Sequence, residues 1–103
     1  MNGLTLDFQR TPPVLTLHGA LDMANADDFG TALKEAMSTD PTLVVDFADL
    51  SFVDASGLHV LLDVAETRNG QGPLVLVNAR RVSWLLKLLA LEDISALDIR
   101  SEG

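Results

Sequence analysis

Residues 43–62, LVVDFADLSFVDASGLHVLL, change character midway. The run from Leu43 to Phe47 is short, apolar and rich in β-branched side chains, which predicts a strand covered on both faces. From Asp54 onward, Leu58, Leu61, Leu62 and Ala65 fall on one face of a helical wheel, so a helix opens at Asp54-Ala55-Ser56-Gly57 and stops at Asn69-Gly70. Residues 48–53 then read as the connection between them. A strand, a helix and a parallel strand in succession cross over right-handed, and repeated units of this kind build a sheet with helices against it.

Working outward, the flanking segments extend that unit. Leu4, Leu6 and Phe8 alternate with polar residues, the period of a half-buried strand, and Arg10-Thr11-Pro12-Pro13 ends it. Val14 to His18 is its hairpin partner. After Gly19-Ala20-Leu21-Asp22, Phe29, Leu33 and Met37 recur every four residues among charged side chains, predicting an amphipathic helix that Asp40-Pro41 terminates. Leu74 to Val77 is a further buried strand, Val82 to about Leu91 a third helix, and Ala96 to Arg100 a short last strand. The order β-β-α-β-α-β-α-β predicts an α/β fold: one domain over residues 1–103, with a mixed, mostly parallel sheet, an opening antiparallel hairpin and helices packed against it.

Composition excludes several classes of function. The 103 residues are 48% hydrophobic and contain no cysteine, which removes disulfides, thiolate catalysis and cysteine-ligated zinc together. Two histidines far apart make no metal site, and no cofactor motif is present. A formal charge of -8 repels a phosphate backbone, so nucleic acid is not the expected partner and a basic or mixed protein surface fits better. With neither a membrane-length apolar run nor a secretory signal pattern, a cytoplasmic location without membrane insertion is expected.

Ser56 is the residue at the strand-to-helix switch whose role local physics leaves open. Asp54 can cap the helix by accepting from the backbone N–H of Ser56 or Gly57. Ser56 then lies exposed in the first turn, where unpaired amides and the positive end of the helix dipole favour an anion. Gly57 costs about 1 kcal/mol relative to alanine inside a helix, which suggests a need for bare backbone, such as close approach by another molecule. Three readings stand together: a structural cap, a modifiable serine, and a catalytic serine with His59 and Asp63 following on the same helical face. The pattern Gly-x-Ser-x-Gly of a nucleophile elbow is absent, and a solvated polar face accounts for His59 and Asp63 without chemistry.

The string LVVDFADLSFVDASGLHVLL resembles the central segment of the STAS domain, shared by bacterial anti-sigma factor antagonists and the cytoplasmic part of sulfate transporters. Gly19-Ala20-Leu21-Asp22 is similar to that family's Gly-x-Leu-Asp, and Val75-Leu76-Val77-Asn78 before a Leu-rich helix also fits. The resemblance implies a regulatory binding module and no enzyme. In such antagonists the hydroxyl residue before Gly-Leu, here Ser56, is phosphorylated by a partner anti-sigma factor that is a serine kinase. The unphosphorylated form binds that partner and frees a sigma factor, and a phosphatase restores it. Asp22, Asp54 and Gly57 would form the phosphosite environment, and Asp22, Ala55, Ser56, His59 and Asp63 the partner-binding residues.

Two departures from the family pattern accompany the match. Ala55 replaces the first hydroxyl of the frequent Asp-Ser-Ser-Gly, and Ser101-Glu102-Gly103 stand where many relatives carry a further helix. Trp84, Leu85, Leu86, Leu88, Leu89 and Leu91 wrap too far around the third helix for one core-facing stripe, so Trp84 and Leu88 either meet a neighbouring loop or contribute to a protein contact or self-association patch. The alternative implied by the same resemblance is an accessory subunit attached to the ATPase of a lipid-trafficking ABC transporter.

Overall fold

The alternation at the amino terminus produces a hairpin in which β1 (Leu4–Arg10) and β2 (Pro13–Leu21) pair antiparallel, with Leu6 opposite Leu17 and Phe8 opposite Leu15. The structure, a computed structural model, describes residues 3–68, 70–90 and 95–100. After the hairpin come α1 (Ala26–Thr39), β3 (Val44–Val53), α2 (Ala55–Glu66), β4 (Leu74–Val77), α3 (Arg80–Leu88) and β5 (Leu97–Arg100). The strands form one sheet in the order β1-β2-β3-β4-β5, and every pairing after the hairpin is parallel. The expected α/β domain with a mixed sheet is therefore present.

The strands and helices share a single core. Phe29 and Leu33 from α1, Leu58 and Leu61 from α2, and Val82 and Leu86 from α3 are buried with Leu15, Leu17, Val45, Phe47, Leu74 and Leu76 from the sheet. Each such side chain stabilises the fold by about 1.5–3 kcal/mol on burial. The predicted strand covered on both faces is corrected: Val45 and Phe47 are buried, whereas Val44 and Asp46 between them are half-buried. β4 repeats the pattern, with Leu74 and Leu76 buried and Val75 and Val77 half-buried. The β-branched residues of the second face are shielded only in part, as on a pleated surface with one open side.

A second correction concerns residues 48–53, which continue β3 and are not a loop. β4 pairs with β3 only at Val44, Val45 and Asp46, so the rest of β3 is held by β2 alone, from Asp49 opposite His18 to Val53 opposite Leu21. Register shifts between Thr16 and His18 and between Gly19 and Ala20 accommodate the irregular polar stretch. His18 fastens this part of the sheet, with Nε2 at 2.9 Å from Asp7 of β1 and Nδ1 at 3.0 Å from Asp49 of β3. Gly19 lies at φ 102, and a Cβ there would collide with the carbonyl of Gly3, whose oxygen accepts from Ala20 N–H. That backbone approach accounts for the glycine of Gly19-Ala20-Leu21-Asp22.

Helix ends also differ from expectation. α2 stops at Glu66, capped by Thr67, before Asn69-Gly70; Asn69 lies outside the described residues. α3 starts at Arg80 instead of Val82 and ends at Leu88, short of the expected Leu91: Leu89 is its C-cap and Ala90, at φ 56, leaves the helix, while Leu91 lies outside the described residues. So do Ser101-Glu102-Gly103.

Candidate functional site

Strands β2 and β3 end side by side, and the turns that follow them are locked by side-chain oxygens. The last pair is Leu21 with Val53, and the Asp54 N–H donates to the Leu21 carbonyl at 3.2 Å. Asp22 and Asp54 are the next residues after the two strands, so the strand register starts the two turns at neighbouring positions. Asp22 Oδ1 accepts from the Ala24 N–H at 3.0 Å, an Asx turn that redirects the chain into α1. Asn25 is 1% exposed; its Oδ1 accepts from the Asp22 N–H at 3.0 Å and its Nδ2 donates to the Ala20 carbonyl at 2.9 Å. It does not cap α1 through its side chain. It anchors the turn that carries Asp22 to the end of β2.

Asp54 performs the capping expected of it. Its Oδ1 accepts from the Gly57 N–H at 3.1 Å, and its carbonyl accepts from the Leu58 N–H at 3.1 Å. Of the two amides available to that carboxylate, the structure uses Gly57 and leaves Ser56 N–H without an intrahelical acceptor, as first-turn geometry requires. The bare backbone of Gly57 serves the interior. Gly57 is buried, and a Cβ there would lie 2.5 Å from Leu21 Cγ, itself 1% exposed. The suggested need for close approach by another molecule is thus replaced by close approach of a core leucine, which seats the start of α2 on the end of β2.

Ser56 stands between these fixed neighbours. It is half-buried and not fully exposed as expected, because the first turn of α2 is drawn down onto Leu21. Its hydroxyl makes no hydrogen bond among the described residues, so the structural-cap role belongs to Asp54. Ala55 before it is exposed, and His59 and Asp63 are exposed one and two turns further along α2. Neither pairs with the other or with Ser56 among the described residues, so the serine, histidine and aspartate are not assembled into a hydrogen-bonded triad. No group of His, Asp and Glu side chains among the described residues is placed to hold a metal ion.

The structure adds two residues to this end that the sequence reading did not single out. Met23, 79% exposed, follows Asp22, and Phe52, 50% exposed, lies two residues before Asp54. Each is hidden in sequence by its context: Met23 sits in a polar turn, and Phe52 in a stretch whose pattern reads as a connection. With Asp22, Asp54 and the half-buried Ser56 they lie at the end of the fold where β2 and β3 finish.

Comparison with known proteins follows the same outline. No curated protein matches the chain significantly. A solved anti-sigma factor antagonist from Mycobacterium paratuberculosis superposes with a TM-score of 0.74 at 22% identity, covering 91% of this chain and 84% of that one. The anti-sigma factor antagonist SpoIIAA in its unphosphorylated form gives 0.60 at 22% identity over 81% and 82% of the two chains. The murine Solute Carrier 26 family member A9 anion transporter gives 0.64 at 22% identity over 82% of this chain and 16% of that one. These likenesses establish a common fold. The family model described as "Mlab, STAS domain" matches residues 4–98, and the chain belongs to the STAS domain family.

Proposed function

We propose that this protein is an anti-sigma factor antagonist whose Ser56 end binds an anti-sigma factor serine kinase when unmodified and releases it when Ser56 is phosphorylated. The observation that carries the reading is the Ser56 hydroxyl: it is free of hydrogen bonds among the described residues, while Asp54 and Asp22, which follow the paired ends of β3 and β2, are committed to backbone amides. A phosphate there adds a charge of about -1.5 to -2. The first-turn amides and the helix dipole stabilise it locally, and the two carboxylates repel it. A partner surface docked over Asp22, Ala55, Ser56, His59 and Asp63 then meets new bulk, like charge and a desolvation cost. Since the Asp54 cap and the Gly57–Leu21 contact do not involve the hydroxyl, binding is lost without unfolding.

On this reading the protein is a binding module with no catalytic activity, and a phosphatase acting on phospho-Ser56 resets it. No helix among the described residues is long and apolar enough to cross a membrane, in keeping with a partner met in the cytoplasm. The description "Mlab" of the matching family model supports a second reading, an accessory subunit on the ATPase of a lipid-trafficking transporter.

Incubation with the cognate anti-sigma kinase and ATP tests the first reading. One phosphate is expected, mapped to Ser56 by mass spectrometry. Ser56→Asp weakens anti-sigma factor binding by at least about tenfold, roughly 1.4 kcal/mol, while its thermal midpoint stays within a few degrees; Ser56→Ala binds and resists inactivation. Phosphate on another residue, or equal affinity of the two variants, overturns the switch. Stable binding to a transporter ATPase without phosphorylation selects the second reading.

A further inference from the structure

α3 is built differently from the other two helices. Three of the chain's seven Lys and Arg residues lie on it, namely Arg80, Arg81 and Lys87, and it contains no acidic residue. Its inward side is held by Val82 and Leu86, while Trp84 is 64% and Leu88 63% exposed. Arg80, Trp84 and Leu88 are spaced by four residues, so cation, ring and leucine share one ridge. Arg80 and Arg81 occupy the first turn, at the positive end of the helix dipole, where a cation is unfavourable. Their placement is therefore not explained by helix stability.

The Ser56 end offers the opposite chemistry. Met23 and Phe52 are exposed there, and Asp27 and Asp28 occupy the first turn of α1 beside the Asp22 turn. A convex basic ridge with a tryptophan and a leucine matches an acidic end with exposed apolar side chains. Within one molecule the two surfaces start from different levels of the sheet, since β4, which leads into α3, stops opposite Asp46, short of the end of β3 at Val53. A symmetric contact of α3 with α3 would bring like charges together.

We infer that the α3 ridge of one molecule docks on the Ser56 end of a second copy of this chain, a head-to-tail contact that covers Ser56 in the copy it binds. Such a contact is heterologous, so association continues with concentration unless a ring closes. Its regulatory meaning rests on the function proposed above: a covered Ser56 is withheld from kinase and anti-sigma factor alike. The contact itself does not depend on that reading and is measured without the kinase.

Sedimentation of the full chain from about 10 μM to about 1 mM tests it, since contacts of this kind are weak. Weight-average mass rises with concentration at low salt, and the apparent Kd increases on the order of tenfold in ~0.5 M salt. Trp84 is the only tryptophan and there is no tyrosine, so its emission shifts to the blue over the same range. Two variants each remove one face: Arg80→Glu with Arg81→Glu, which places acids favourably at a helix start, and Met23→Lys with Asp28→Lys. Each alone stays monomeric, and mixed they form a complex that stops at two chains. A monomer at every concentration with unchanged emission overturns the inference. So does self-association that persists in Met23→Lys with Asp28→Lys, which would assign a symmetric contact. A blue shift produced only by phosphatidylglycerol vesicles would assign the ridge to a membrane.

Discussion

Where β2 and β3 finish and α1 and α2 begin, side-chain oxygens collect backbone N–H groups: Asp22 from Ala24, Asn25 from Asp22 and Asp54 from Gly57. Where α1 and α2 finish, a guanidinium collects carbonyls. Arg68, 7% exposed, donates through Nε to Gly72 at 2.9 Å and through Nη2 to Pro41 at 2.8 Å and Gln71 at 3.3 Å. Helices laid antiparallel to parallel strands expose unpaired amides at one end of the sheet and unpaired carbonyls at the other, so opposite side-chain chemistry closes the two sets of turns. The ends differ in what remains. Arg68 commits Nε and Nη2 to its end, with Nη1 buried and unpaired among the described residues, whereas the Ser56 hydroxyl is left over at the other. A spare group beside a rigid frame can be modified without disturbing the frame.

The largest test of this difference is Arg68→Met. It strips a donor from three carbonyls of two connections, and at about 1 kcal/mol for each bond we expect a loss of about 3 kcal/mol and a thermal midpoint lower by roughly 10 °C or more. Ser56→Ala at the other end should leave the midpoint within a few degrees. Equal shifts in the two melting curves would erase the contrast between a consumed and a spare group.

Next in size is the contact that seats α2. Gly57→Ala places a Cβ 2.5 Å from Leu21 Cγ in a buried site, and overpacking of this kind costs about 1–3 kcal/mol. Leu21→Ala alone costs about 2–5 kcal/mol through its cavity. Combined, the two substitutions should cost less than their sum by at least about 1 kcal/mol, because the added methyl then enters the space Leu21 vacates. Strict additivity in urea unfolding would mean that the Leu21 side chain is not what requires glycine at position 57.

The sequence disclosed most of the frame and less of the site for reasons visible in particular residues. Strand and helix order follow from long-range hydrophobic periodicity, which Leu4-Leu6-Phe8 and Phe29-Leu33-Met37 display without interruption. The second half of β3 was hidden because β2 alone pairs with it there, leaving Ala48, Asp49 and Ser51 exposed and the alternation broken. Asp54 was legible as a cap since capping is local chemistry. The partner of Gly57 was not, as Leu21 lies 36 residues earlier and only the β2–β3 register joins them. The burial of Asn25 and Arg68 was not legible, because burial of a polar side chain depends on carbonyls and amides that composition does not reveal. A polar residue directly before a predicted helix and an arginine beside Gly70 and Gly72 were the available signals.

The smallest effect probes an exception to the rule of opposite ends. Asp40 puts an acceptor at the carbonyl-rich end of α1, where a carboxylate faces the negative pole of the helix. It is compensated from the chain that follows: the Thr42 hydroxyl donates to Oδ1 at 2.7 Å and the Thr42 N–H at 2.9 Å. The hydroxyl first, then the amide, hold the Asp40 carboxyl below its ordinary value of 3.8. Since the folded form binds this proton less readily than the unfolded chain, the associated stability is fully present above the unfolded value and is lost as pH falls through the folded one. Thr42→Val removes the hydroxyl and keeps the amide, so the Asp40 titration followed by carboxyl-carbon NMR should move part of the way back toward 3.8. A midpoint unchanged by the substitution would mean that the amide alone offsets the helix end, and that the carbonyl-rich end tolerates an acceptor without the second donor.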